Sequence, residues 1–84
     1  MGQEIVCLTR FAGKEEDAKA LLEGSFLVVG SDFRLKIPFE QIKSVTAGED
    51  GWLSVETEKG LLELRLGEET AAKWEMKILA NRAN

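Results

Sequence analysis

The sequence predicts a mainly β fold, in which seven short antiparallel strands are followed by one C-terminal helix. Short apolar runs recur between glycine-rich or charged turns as far as residue 66, and this pattern is typical of an all-β chain. Residues 68–81 then change to the apolar spacing of a helix. Because a flat seven-stranded sheet would leave an apolar face in water, we expect a partly open barrel of two packed sheets, capped by the helix.

The predicted strands fill most of the chain before the helix. The charged segment 13–17 is expected to form the turn of the first hairpin. Pro38 cannot donate a backbone hydrogen bond, so it predicts a strand end or a sheet edge. The expected strand ranges are 5–11, 18–23, 25–29, 33–37, 42–47, 52–57 and 61–66.

The alternation of apolar and polar residues predicts which strand positions face the core. The fourth and seventh strands show it best, because apolar residues occupy every second position there. The predicted core takes these positions together with one face of the helix: Phe33, Leu35, Ile37, Leu62, Leu64, Trp74 and Ile78.

The predicted helix has one apolar face. Ala71, Trp74 and Ile78 recur at helical spacing, and Leu79 is expected beside them. Glu75 falls inside this apolar arc. Either the helix packs through a narrower face, or Glu75 finds a partner at the rim of that face.

The composition excludes several functions. The 84 residues leave room for one domain, which we expect to span residues 1–84. The chain has no histidine, the usual general base and commonest metal ligand, and Cys7 is its only cysteine. The 15 acidic against 11 basic residues argue against nucleic acid as a partner. We therefore expect no catalytic residue, metal or cofactor, and we expect Cys7 to be a small core side chain.

The sequence predicts neither a transmembrane segment nor a signal peptide. No apolar run reaches the roughly 18 residues of a transmembrane segment. The first residues lack the basic and apolar regions of a signal peptide. We expect a cytoplasmic protein with a reduced thiol.

The order of seven strands and a terminal helix resembles the pleckstrin-homology (PH) superfold. Members often carry a tryptophan in the last helix, packed against the barrel, and Trp74 stands where that residue would. Residues 33–45 resemble the middle of bacterial PH-like and GRAM-like domains, and residues 50–55 resemble the hairpin that follows it. The resemblance covers roughly residues 5–79 and implies a PH-like barrel of bacterial type.

Phosphoinositide binding is the best-known activity of PH domains, and it uses cations of the first hairpin. In residues 13–19 of this chain, three carboxylates lie between Lys14 and Lys19. Their field repels phosphate. This departure from the family pattern argues against phosphoinositide binding.

Residues 25–47 are the segment of the chain with a positive net charge, and they contain the third and fourth strands with Arg34 and Lys36. If these strands form a hairpin with a two-residue loop, Leu27 and Val29 share a face with its two cations. With a three-residue loop, Phe26 and Val28 do. Trp52 begins the sixth strand on its more polar face. The candidate interaction surface therefore comprises Phe26, Leu27, Val28, Val29, Arg34, Lys36 and Trp52.

Together these observations predict a non-enzymatic protein-interaction module. We expect it to bind itself or another protein through a sheet face or a sheet edge, where apolar side chains supply contact area and cations set the register. One alternative is a membrane-surface or lipid-recognition module. Another is that the chain is one domain of a larger protein.

Overall fold

The computed structural model describes residues 3–31 and 34–82. These residues form seven antiparallel strands and a C-terminal helix, which confirms the predicted architecture. A short 3₁₀ turn (Phe39–Gln41) stands between the fourth and fifth strands. The elements are β1 (Gln3–Phe11), β2 (Lys14–Leu22), β3 (Phe26–Gly30), β4 (Arg34–Pro38), β5 (Ile42–Ala47), β6 (Trp52–Thr57), β7 (Gly60–Arg65) and α1 (Glu68–Arg82).

The strands follow the order β4-β3-β2-β1-β7-β6-β5, so β4 and β5 are the two edges. β1 pairs with β2 along its whole length, but it pairs with β7 only over its last residues, from Thr9 to Phe11. This short pairing joins a four-stranded half, β1–β4, to a three-stranded half, β5–β7. The two halves enclose the core as a half-barrel.

The core lies between the two halves of the sheet and beneath α1. Alternate residues of each strand point into it, as the two-residue period of a strand requires. Phe33, expected in the core, lies outside the described residues. The other six side chains of the predicted core are buried: Leu35, Ile37, Leu62, Leu64, Trp74 and Ile78.

Helix α1 packs against β5, β6 and the 3₁₀ turn through a narrow face. Trp74 lies at the centre of that face and is only 1% exposed. The expectation that Leu79 lies beside the buried face is wrong, because its side chain is 42% exposed. Glu75 lies at the rim, where its Oε2 accepts a hydrogen bond of 2.9 Å from the Ala47 N–H. Both expectations for Glu75, a narrow face and a partner at the rim, are therefore met.

The first hairpin differs from the prediction, because the charged segment is part of β2 and not a turn. Phe11 pairs with Lys14, so the loop consists of Ala12 and Gly13. Their φ values of 54° and 81° are typical of the type I′ turn that two-residue hairpins favour. The strand tolerates these charges because Lys14, Glu15 and Asp17 are exposed and Glu16 is only half-buried.

The remaining element bounds lie close to the predicted ones. β5 and β6 have the predicted bounds, and β3, β4 and β7 are each shifted by one residue. β1 begins two residues earlier than expected, at Gln3. Pro38 is both the last residue of its strand and part of a sheet edge, so the two interpretations of this proline coincide.

Candidate interaction surface

The hairpin of β3 and β4 carries most of the predicted surface, and its register decides which side chains share a face. Gly30 lies opposite Arg34, and Val28 lies opposite Lys36, so three residues connect the strands. This is the second of the two registers considered. Because side chains alternate along a strand, Phe26 and Val28 share the outer face with the two cations.

The prediction that Leu27 and Val29 belong to this surface is wrong. Both side chains are fully buried. They pair with Ile37 and Leu35 on the inner side of the hairpin. A shift of one residue would exchange the two faces, and the three-residue connection sets the register that buries this pair.

Phe26 and Lys36 are in contact on the outer face. The Nζ of Lys36 lies 4.4 Å from the centroid of the Phe26 ring. Phe26 is half-buried and Lys36 is exposed. A cation–π contact of this kind contributes about 0.5–1 kcal/mol at an exposed site. It holds the ammonium group over the sheet face, although Lys36 belongs to an edge strand.

The apolar part of this face continues onto β2 and β1, where the sequence predicts no site. Leu21 lies opposite Val28 and is half-buried. On β1, Val6 is 66% exposed, and Leu8 on the same face is half-buried. Phe26, Val28, Leu21, Val6 and Leu8 thus form a diagonal group across three strands, here called the outer patch.

Charged side chains border the outer patch unevenly. β4 contributes Arg34 and Lys36, both exposed. β1 contributes Glu4, whose Oε2 lies 4.0 Å from the Nζ of Lys19 on β2. A shallow depression of about 340 Å³ lies between these groups. The face is therefore positive along its β4 edge and carries a carboxylate at its β1 side.

Trp52 lies elsewhere. It stands on the outer face of the three-stranded half, and β2, β1 and β7 separate its strand from β3. The guanidinium carbon of Arg10 lies 4.5 Å from the centroid of the half-buried Trp52 ring. Arg10 Nε also donates a 2.6 Å hydrogen bond to Glu15 Oε1, which raises the pKa of Arg10 above its ordinary value. Trp52 thus packs under an arginine and does not join the outer patch.

A second depression, also of about 340 Å³, lies at the end of the barrel beside the first hairpin. Lys14, Glu16 and Arg34 are among its lining residues. Of the three carboxylates expected to repel phosphate here, Glu16 is the one that lines the depression. Glu15 and Asp17 are exposed on the opposite face of β2, as the alternation of a strand requires.

Cys7 is buried on the inner face of β1. Its Sγ lies 3.8 Å from the Oγ1 of Thr9, which is also buried. Burial raises the pKa of the Cys7 thiol above its ordinary value. The Thr9 contact lowers this pKa by less than burial raises it, and the charge of Asp17 raises it by a smaller amount again. The neutral thiol therefore behaves as a core side chain and not as a nucleophile.

Two further properties concern residues 3–31 and 34–82. Within these ranges, no cluster of three or more aspartate, glutamate and cysteine side chains is arranged to hold a metal ion. The helix that they contain is too short and too polar to span a membrane.

The half-barrel, its strand order and its terminal helix define a pleckstrin-homology-like fold. The solution structure of the N-terminal PH domain of human ARAP2 is similar to it, with a TM-score of 0.77. The two sequences are 14% identical, and the match covers 96% of this chain and 78% of that one. No family model and no curated protein matches the sequence. The likeness confirms the PH-like fold.

Proposed function

We propose that this chain is a non-catalytic protein-interaction module that self-associates through the outer patch. The outer patch, with the charged side chains around it, is the observation that supports this function. Of the residues that the sequence predicts for this surface, Phe26 and Val28 belong to the outer patch, and Arg34 and Lys36 border it. Residues of β1 and β2 take the place of Leu27, Val29 and Trp52.

The outer patch has the composition of a contact surface. Its apolar side chains lie side by side on adjacent strands instead of being scattered singly, and Val6 is mostly exposed. Contiguous apolar area bordered by polar groups is typical of protein interaction sites. Burial against a partner stabilises a complex by about 25 cal/mol per Å² of apolar surface, before the losses of association are subtracted.

A non-catalytic role is supported by what the chain offers for chemistry. The sequence contains no histidine to act as a general base near neutral pH. Its one thiol, Cys7, is buried, and its pKa is raised. The PH-like fold is itself a scaffold that typically serves binding.

Light scattering over a range of protein concentrations tests the proposal. We expect the molar mass of the wild type to rise from monomer towards dimer as the concentration increases. The double variant Leu21→Glu with Val28→Glu should remain monomeric, because both substitutions place carboxylates in the outer patch. Leu61→Glu is the matched control, since Leu61 is a 51% exposed leucine on the outer face of β7. A wild type that is monomeric at every concentration would contradict self-association.

The same proteins distinguish a membrane-surface role. Co-sedimentation with vesicles containing anionic lipid would be expected of a lipid-recognition module, and added salt would weaken it. We expect no such binding, because the chain carries a net charge of −4 and Glu16 lines the depression beside Arg34 and Lys14. Salt-sensitive binding that Arg34→Glu abolishes would assign the surface to a membrane instead.

A further inference from the structure

Four side chains of the outer face form a straight row across β4, β3, β2 and β1. The strand registers place Lys36 opposite Val28, Val28 opposite Leu21, and Leu21 opposite Glu4. From β4 to β1, the row therefore consists of a cation, two apolar side chains and a carboxylate. Its two ends are exposed and its two central side chains are half-buried. Strands in a sheet lie about 4.8 Å apart, so the row is about 14 Å long.

Such a row is complementary to itself. A two-fold axis parallel to the strands, midway between β2 and β3, exchanges the first position with the fourth and the second with the third. Lys36 of one copy then faces Glu4 of the other, and Val28 faces Leu21. Two sheets packed face to face keep their strands within about 30° of each other, and an axis in this direction satisfies that condition.

The neighbouring row supports the same axis. It contains Arg34, Gly30, Lys19 and Val6 in order from β4 to β1. The exchange brings Lys19 of one copy over Gly30 of the other, where there is no side chain to obstruct it. It also brings Arg34 over the exposed Val6, which the methylene groups of an arginine can cover.

The other axis that would align the strands runs perpendicular to them. It would superimpose each strand on its own counterpart, so that Lys36 would face Lys36 and Glu4 would face Glu4. Like charges placed opposite each other across an interface destabilise the complex. The charge pattern therefore separates the two arrangements.

We infer that a second copy of this chain docks on the outer patch about a two-fold axis parallel to β2 and β3, with Lys36 of each copy against Glu4 of the other. This inference rests on the proposed self-association and gives it a geometry. The contact between Lys36 and Phe26 favours it, because it keeps the ammonium group over the face that the second copy covers.

Charge reversal tests the pairing. Lys36→Glu and Glu4→Lys should each raise the dissociation constant of the dimer about tenfold or more, because each reversal creates two like-charge pairs across the interface. The double variant should restore affinity to within a few-fold of the wild type. The matched control reverses Glu69 and Lys73, an exposed pair 3.2 Å apart on α1, and should leave the dissociation constant unchanged. A double variant no tighter than the single ones would overturn the pairing.

Cysteine cross-linking tests the axis independently, in a Cys7→Ala background. A mixture of Lys36→Cys and Glu4→Cys chains should form a disulfide-linked heterodimer, and Lys36→Cys alone should form none. Linkage of Lys36→Cys to itself would indicate the perpendicular axis and overturn the inference. A monomeric wild type would refute the proposed function itself, whereas a dimer with the wrong cross-links would refute only this geometry.

Discussion

Gly51 is the residue on which the junction between the last hairpin and α1 depends. Its φ is 87°, and its carbonyl oxygen accepts hydrogen bonds from the N–H groups of Leu66 (3.0 Å) and Gly67 (2.9 Å). A Cβ added to Gly51 would lie 3.0 Å from the Cα of Gly67 and 3.2 Å from the nitrogen of Glu68. Both are backbone atoms, so a side chain at this position would have to displace the start of the helix.

Replacing Gly51 by alanine should therefore destabilise the protein more than the same change at Gly13. Gly13 also has a positive φ, but a Cβ there would meet nothing within 4 Å. Gly13→Ala should lower the free energy of unfolding by about 1 kcal/mol, through the left-handed backbone alone. Gly51→Ala should lower the free energy of unfolding by about 3 kcal/mol. The close approach of the added Cβ to the backbone of Gly67 and Glu68 adds to the cost of the left-handed backbone. Urea denaturation measures both values, and equal losses would show that the close approach contributes nothing.

Single residues also show which structural features can be predicted from the sequence and which cannot. The turn at Gly51 is predictable from its glycines, but its contact with Gly67 joins positions far apart in the chain. The sequence does not mark Leu21 as a surface residue, because it stands between Ala20 and Leu22, so that apolar residues occupy both faces at the end of β2. Only pairing with neighbouring strands shows which of these side chains face water.

Among the elements, α1 and β5 depend on each other through one hydrogen bond. β5 is an edge strand, and the N–H of Ala47 donates to Glu75 on the helix. The carboxylate thus satisfies a backbone donor at the end of the edge strand. It also explains why a charged residue occurs next to the apolar face of the helix.

Glu75→Ala should lower the free energy of unfolding by about 1.5–3 kcal/mol, the range for a hydrogen bond to a charged group. Glu75→Gln keeps an acceptor and should lose less. The matched control is Glu69→Ala, which removes only an exposed i,i+4 ion pair and should lose about 0.3–0.5 kcal/mol. Thermal or urea denaturation compares the three variants. Equal losses for Glu75→Ala and Glu69→Ala would contradict a role for the hydrogen bond.

The helix was predictable as an element because its apolar spacing and acidic first turn are local signals. The width of its buried face was not, because that width depends on where β5 ends beneath it. The first hairpin shows the same limit. Its charges suggested a turn, but cross-strand partners such as Arg10 and Glu15 stabilise it as a strand.

Across the whole molecule, stability should depend on pH mainly outside the neutral range. The chain has no histidine, whose ordinary pKa falls near neutrality. Burial raises the pKa of Cys7 above the ordinary thiol value of 9.0. The unfolded chain therefore loses this proton at a lower pH than the folded one. The stabilisation is complete below pH 9.0 and is lost as pH rises through the raised pKa.

We expect the free energy of unfolding to be nearly constant from about pH 6 to 8 and to fall above about pH 9, by up to about 1.4 kcal/mol per pH unit from this group. Cys7→Ala is the control, because it removes the thiol and should give a shallower decline between about pH 9 and 10. Denaturant titrations at each pH provide the measurement. Identical slopes for the wild type and Cys7→Ala would mean that the thiol is as accessible to deprotonation in the folded chain as in the unfolded one.

Strand number, helix position and fold were predictable at this scale. They depend on turn residues, on the alternation of apolar and polar residues and on helical spacing, all of which are local in the sequence. The site was predictable only in part. The register of one hairpin assigns Phe26 and Val28 to the surface and Leu27 and Val29 to the core, whereas two alternative loop lengths fit the sequence equally well. Trp52 was separated from the surface by strand order, which local patterns do not contain.

The edge strand β4 has a consequence for how far assembly can proceed. Its residues Arg34, Lys36 and Pro38 are of the kinds that hinder another strand from adding to a sheet edge, and α1 packs against β5, the strand at the opposite edge. Strand addition at an open edge can continue from chain to chain and produce a fibre. A contact between identical faces about a two-fold axis closes at two copies. In the proposed dimer, the outer patch is thus covered at two copies, while Arg34, Lys36 and Pro38 hinder polymerisation at the β4 edge.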